Sequence, residues 1–172
     1  MDMKRIMLAA LAAVLLLAGC GKKENLETVT DVYTPTQAQA KTIALELPKG
    51  AAAATMGTED DGNIYFCDGY TVTVQTLPGG DLDRTLKAVS GYGEENLKIM
   101  ETAAGDYTRY DFVWACVGES GDQMCRGAVL SDGAYHYAVT TMTDGSRAGA
   151  LNPTLQKLFA TFSLQETDRT GA

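Results

Sequence analysis

From residue 42 onward apolar and polar positions alternate over most of the chain, and the rhythm shifts where one element gives way to the next. Ile43, Leu45 and Leu47 alternate with Ala44 and Glu46, the period-two pattern of a half-buried strand that Pro48 ends. Asn63–Cys67 and Tyr70–Leu77 are β-rich runs on either side of Asp68-Gly69, a pair that predicts a tight hairpin. Pro78-Gly79-Gly80 breaks the second run, and Asp81 is placed to cap a helix reaching about Ser90. On that helix Leu82, Leu86 and Val89 share a face, Asp83, Arg84 and Lys87 turn outward, and Gly91 is the natural stop. Four strand-like segments follow, Leu97–Thr102, Tyr107–Val117, Met124–Leu130 and Tyr135–Met142, separated by turn formers at Gly105-Asp106, Gly118–Asp122 and Asp132-Gly133. In the second of these Tyr110, Phe112, Trp114 and Cys116 lie on one face and Arg109 and Asp111 on the other, so the aromatic side is expected to meet the core. Thr143–Ala150 reads as a mobile loop, after which Asn152 caps a last helix with Pro153 at its first position. Leu155, Leu158, Phe159 and Phe162 give that helix its apolar stripe, and the chain from Glu166 is polar.

Strands, a helix, a four-stranded meander and a second helix predict an α+β domain, an antiparallel β-sheet of about six to seven strands flanked by two amphipathic helices. The order resembles the Mog1/PsbP-like α-β-α sandwich, with Leu45-Glu46-Leu47-Pro48 at the first strand, the helix at 81–90 and the closing Leu158-Phe159-Ala160-Thr161-Phe162-Ser163 as matching features. That resemblance covers the domain at residues 42–165 and implies a mostly non-catalytic accessory or binding role; a plain meander sheet with two helices is the alternative fold.

The chain before the domain has a different character. Lys4 and Arg5 precede the apolar run Ile6–Ala18, the layout of a secretory signal at residues 1–19. Its 13 residues rise only about 20 Å as a helix, too short for a hydrocarbon core of about 30 Å. The run ends in Leu17-Ala18-Gly19-Cys20, which resembles the lipobox of bacterial lipoprotein signals. The resemblance implies diacylglycerol in thioether linkage on Cys20, cleavage before it and acylation of the new N-terminus. The expected location is a lipid-anchored one on the cell membrane or outer membrane, facing the extracytoplasmic side. Two or three acyl chains hold firmly where one binds only marginally. Gly21 follows, so the aspartate that retains some lipoproteins in inner membranes is absent. Residues 20–41 are polar without sustained period and read as the lipidated N-terminus and a tether; residues 166–172 form a polar tail.

Charge narrows the partners. The chain carries 22 acidic against 14 basic residues, a net charge of −8, and both Lys4 and Arg5 fall in the leader. Nucleic acid, which needs a basic footprint, is disfavoured. Adsorption to anionic lipid is disfavoured too, so the N-terminal diacylglycerol has to supply the membrane attachment.

No constellation in the sequence commits to catalysis, and the expected class is a non-enzymatic envelope module that needs no cofactor and binds an envelope protein or glycan. The alternative is a small-ligand-binding lipoprotein with an aromatic groove between helix and sheet, and Tyr65, Tyr92 and Tyr135, beside turns, are the candidate ligand or partner surface. Cys116 and Cys125 are a candidate disulfide: a hairpin centred on Ser120-Gly121 would set them opposite each other, and an oxidising compartment would favour the bond. Cys67 bonding to one of the two, or three buried thiols, are the other outcomes. Cys67, Cys116, Cys125 and His136 have an allowed zinc ligand set but lack the paired spacing of structural sites, so no metal is expected. A cysteine nucleophile activated by His136 lacks an orienting partner, and His136 reads as a strand residue facing solvent or a neighbour. Glu59-Asp60-Asp61-Gly62-Asn63 departs from the spacing of a calcium loop and reads as a solvated turn.

Overall fold

The computed structural model describes residues 39–54, 62–118 and 121–166, all within one compact unit spanning residues 37–172. The leader, Cys20, the tether up to residue 38, the acidic stretch Glu59–Asp61 and the tail beyond Glu166 lie outside the described residues.

Among the described residues, nine strands, two α-helices and a 3-10 turn at Glu94–Asn96 follow in chain order. The strands and α-helices are β1 (Thr42–Ala44), β2 (Ala52–Ala53), β3 (Asn63–Cys67), β4 (Tyr70–Pro78), α1 (Leu82–Ser90), β5 (Lys98–Ala104), β6 (Tyr107–Gly118), β7 (Gly121–Ser131), β8 (Tyr135–Asp144), α2 (Ala148–Thr161) and β9 (Ser163–Gln165). Seven strands pair antiparallel in the order β2-β3-β4-β8-β7-β6-β5. The meander β5 to β8 is thus continuous, and the β3–β4 hairpin joins it edge-on through β4 and β8. The fold is α+β, an antiparallel sheet with two helices.

Strand alternation feeds two cores, one on each face. Val129 and Ala138, with Phe112 and Leu86, form the core under α1, where Leu77, Leu82, Val89, Ile99, Tyr110 and Trp114 pack around them. Their sequence neighbours Ala128, Leu130, Tyr137 and Val139 point the other way and join Tyr70, Val72, Leu155, Leu158, Phe159 and Phe162 under α2. A period of two in a sheet covered on both sides requires both sets to be apolar, and they are. The aromatic side of β6 meets the α1 core as expected, with Phe112 and Trp114 stacked at 5.5 Å. The opposite side is covered as well: Arg109 and Asp111 pair with each other, and the Arg109 guanidinium donates to the Phe159 carbonyl oxygen at 3.2 Å.

α1 forms for the reasons its sequence gives. The Asp81 side chain accepts from the Arg84 N–H, and Gly91 at φ +80 closes the helix with its N–H on the Lys87 carbonyl. The start of α2 departs from expectation. It begins at Ala148, so Asn152 is not its cap and Pro153 lies inside it. Thr143–Ala150 is correspondingly no mobile loop: Thr143 is buried in β8 opposite Met124 and Tyr70, and Asp144 caps the turn by accepting from the Ser146 N–H. Leu151 and Leu155 both pack into the α2 core, and that burial offsets the one hydrogen bond the proline cannot make.

The first strand also differs. β1 covers only Thr42–Ala44 and pairs not with the large sheet but with β9, Ile43 opposite Leu164. Leu45 and Leu47 continue past it onto the α2 core. The domain starts before Thr42: Ala40 packs on the same core, and the Lys41 N–H donates to the Tyr137 hydroxyl at 2.9 Å. That hydroxyl donates in turn to Asp132 Oδ2 at 2.9 Å, and burial pushes its pKa up to about 12. Lys41 also pairs with Glu166, so both ends of the described domain are tied down together.

Candidate functional site

Among the described residues, those singled out by their chemistry do not assemble into a centre. In β6 and β7 the hairpin closes on the pair Gly118 and Gly121, so Cys116 stands opposite Gln123 and Cys125 opposite Trp114. The expected facing of Cys116 and Cys125 is corrected by that register. They are diagonal neighbours on the α1 face, with sulfurs 3.6 Å apart and unbonded, against about 2.05 Å for a disulfide. Cys67 is also free, and it packs toward the α2 core on the opposite face of the sheet. Burial pushes the Cys125 thiol up to about 12, reinforced by Cys116 beside it, and burial also raises Cys67. A thiol held protonated is a poor nucleophile and a poor metal ligand. Among the described residues no three His, Cys, Asp or Glu side chains group as a metal set.

His136 faces a neighbour rather than solvent. Its Nδ1 lies 2.6 Å from Thr85 Oγ1 of α1, and both residues are buried. Burial holds the imidazole below its ordinary range, against the pull of the Asp132 and Asp81 carboxylates. The unfolded chain therefore takes a proton there before the folded one does, and stability falls as pH drops below about 6.5. Thermal melts between pH 7.5 and 5 are expected to show this slope, and His136→Gln to flatten it. An unchanged slope in the variant would assign the dependence elsewhere.

The tyrosines taken as a candidate surface do not converge. Tyr65 and Tyr135 pack against the α2 core, where Tyr135 lies 6.2 Å from the ring of Tyr137. Tyr92 follows α1 at the other side of the sheet, half exposed, with its hydroxyl 3.4 Å from the Ala115 carbonyl oxygen.

A groove between helix and sheet does exist, elsewhere and with a different lining. It holds about 470 Å³ between the N-terminal half of α2 and strands β5 to β8, within the range of ligand pockets. Its floor is Met100, Val113 and Met124, and its helical wall is Ala148, Gly149, Asn152 and Leu155. The expected aromatic character is corrected: thioether and aliphatic side chains dominate, with Phe112 the one aromatic contributor. It lies where the groove side of α2 carries the short side chains of Ala148 and Asn152 and no side chain at Gly149, ahead of Leu155. The signal that could have located it is the run of small residues Ala148-Gly149-Ala150 opposite strand positions that alternation makes apolar.

No protein-family model matches the sequence, and no curated protein matches it. Solved structures do match in fold. The chain is similar to LpqN, described as involved in cell envelope biogenesis of Mycobacterium tuberculosis, at a TM-score of 0.50 and 10% identity over 73% of this chain and 84% of that one. It is also similar to cyanobacterial PsbP (CyanoP) from Synechocystis sp. PCC 6803, at a TM-score of 0.54 and 9% identity over 79% of this chain and 99% of that one. At these identities the likeness is one of fold, and the fold is PsbP-like.

Proposed function

We propose that the protein is a lipoprotein anchored through diacylglycerol on Cys20 at the extracytoplasmic side of a cell membrane or outer membrane, and that its domain is a non-catalytic binding or assembly module of the cell envelope. The anchor rests on Leu17-Ala18-Gly19-Cys20 behind its charged and apolar leader. The observation that carries the binding role is the open apolar groove beside α2, in a domain whose histidine and raised thiols are turned inward for packing. The fold likeness to LpqN supports an envelope setting. The partner is an envelope protein or glycan, and the net charge of −8 speaks against nucleic acid. A second reading, a small-ligand-binding lipoprotein, is favoured by the partial enclosure of the same groove under α2.

One experiment in intact cells tests both halves. With a photo-crosslinking residue at Met124, the full chain is expected to incorporate labelled fatty acid and to trap an envelope protein or glycan on illumination. Cys20→Ala in the same chain is expected to abolish the fatty-acid label and leave the leader uncleaved. Continued labelling of the Cys20→Ala chain would overturn the anchor, and an empty trap would overturn the macromolecular partner.

A further inference from the structure

Three observations meet in the groove under α2. The floor is apolar yet open: Met100, Val113 and Met124 are 60%, 52% and 43% exposed. Single exposed apolar residues are ordinary, whereas three lining one concavity mark a binding surface. Methionine thioethers adapt to a flexible chain better than branched side chains do.

The second observation is the wall. Ala148, Asn152 and Leu155 recur at helical spacing on the groove side of α2, joined by Gly149, and all but Leu155 are short. A Cβ at Gly149 would meet nothing within 4 Å. The groove is therefore room left by small residues, not a packing gap that neighbours have closed.

The third is charge. Lys98 and Arg126 occupy the positions directly across from Val113 on the two adjoining strands, so two cations straddle the floor. The Arg126 guanidinium is held over the Phe159 ring, 4.6 Å from its centroid. Among the described residues neither cation forms an ion pair. The one carboxylate in the lining, Asp111, is already held by Arg109 at 2.7 and 3.0 Å. A chain of net charge −8 thus presents, at this apolar groove, two positive charges that have no ion-pair partner among the described residues.

We propose that the groove binds a single-chain fatty carboxylate, its alkyl chain laid over Met100, Val113 and Met124 and its carboxylate met by Arg126 and Lys98. This rests on the small-ligand reading above and supplies its ligand class. Arginine matches a carboxylate with parallel N–H donors, and a guanidinium pre-oriented on a ring loses little freedom on binding. A pocket of about 470 Å³ is the size of a one-ligand site, which favours one chain over a two-chain lipid.

The test uses the full chain in lipid nanodiscs with a photoactivatable long-chain carboxylate. The comparison arms are its methyl ester and a phosphatidic acid carrying the same photoactivatable chain. Light-dependent label is expected on peptides covering residues 98–126 and 148–155. It should fall about tenfold with the ester or in Arg126→Met, which removes a charge-assisted hydrogen bond and leaves an unbranched apolar side chain at that position. Gly149→Leu, which fills the open space, should remove the label at an unchanged melting temperature. If that variant unfolds, Lys98→Gln with Arg126→Met carries the same test from partly solvated positions. Equal labelling by the ester, stronger labelling by phosphatidic acid, or label spread over the whole surface would each overturn the proposal. Labelling of the groove peptides by the ester or by phosphatidic acid in place of the carboxylate would overturn this ligand class while the small-ligand reading stands, and fatty-acid labelling at Cys20 reads the anchor separately.

Discussion

Phe159→Ala is expected to destabilise the domain by about 3–5 kcal/mol, the cost of deleting a buried aromatic and leaving the cavity behind. Phe159 is 1% exposed and packs with Leu155, Leu158 and Phe162 where α2 meets the sheet. It also carries the Arg126 guanidinium on its ring, and its backbone carbonyl accepts from Arg109. For a domain of this size the loss corresponds to a fall in Tm on the order of 10 °C. Phe159→Leu separates the contributions: it keeps most of the apolar burial and removes the ring, so the part lost in Leu reports shape and the cation contact. A Phe159→Ala protein that melts within 2 °C of wild type would mean that α2 does not pack as described.

The second large effect concerns a residue with no side chain. Gly127 lies in β7 directly opposite Phe112, and a Cβ built there would fall 2.4 Å from the Phe112 ring. The ring lies across the glycine, 2% exposed and stacked on Trp114, with Leu86 and Val129 in the same core. It cannot swing aside cheaply, because every direction is filled. Gly127→Val is expected to cost about 1–3 kcal/mol through overpacking, despite valine's preference for strands. The double variant Gly127→Val with Phe112→Leu should be more stable than the sum of the two single losses predicts, since the smaller side chain vacates the contested space. Additive losses in chemical denaturation would show that ring and glycine do not compete.

These two sites mark what the sequence made legible and what it did not. Phe159 was readable, because helical spacing put it on a stripe with Leu155, Leu158 and Phe162. Asp81, Gly91 and Asp68-Gly69 were readable because their chemistry is local and needs no knowledge of the partner. Gly127 was not singled out, although a glycine inside a strand pattern marks close approach by something else. Registers and partners were the hard part. Alternation at Ile43, Leu45 and Leu47 says that one side is buried, yet not that the strand pairs with β9 outside the large sheet. The hairpin could centre on Ser120-Gly121 or close on the Gly118–Gly121 pair, and the choice between them decides whether Cys116 faces Cys125 or Gln123. Pro153 read as a helix start because its local rule is strong; the tertiary packing of Leu151 overrode it. The groove was anticipated as aromatic from the tyrosines, but its character follows from small residues in α2, which a search for conspicuous side chains passes over.

The pairing of β1 with β9 sets a timetable. Thr42 is among the first domain residues to be made and Gln165 among the last, and each is the other's partner. At synthesis rates of about 5–20 residues per second, the first strand waits roughly 6 to 25 s for the second. Meanwhile Ile43, Leu45 and Leu47 have no finished core to settle on, since Phe159 and Phe162 arrive with the same late segment. Such long-range closure makes for slow folding, and in a nascent chain it leaves the opening strand open to holdase chaperones until the end. Completion of the fold is thereby coupled to completion of the domain: a polypeptide released before Phe162 keeps its apolar opening segment exposed, a mark by which quality control can tell an unfinished domain from a finished one.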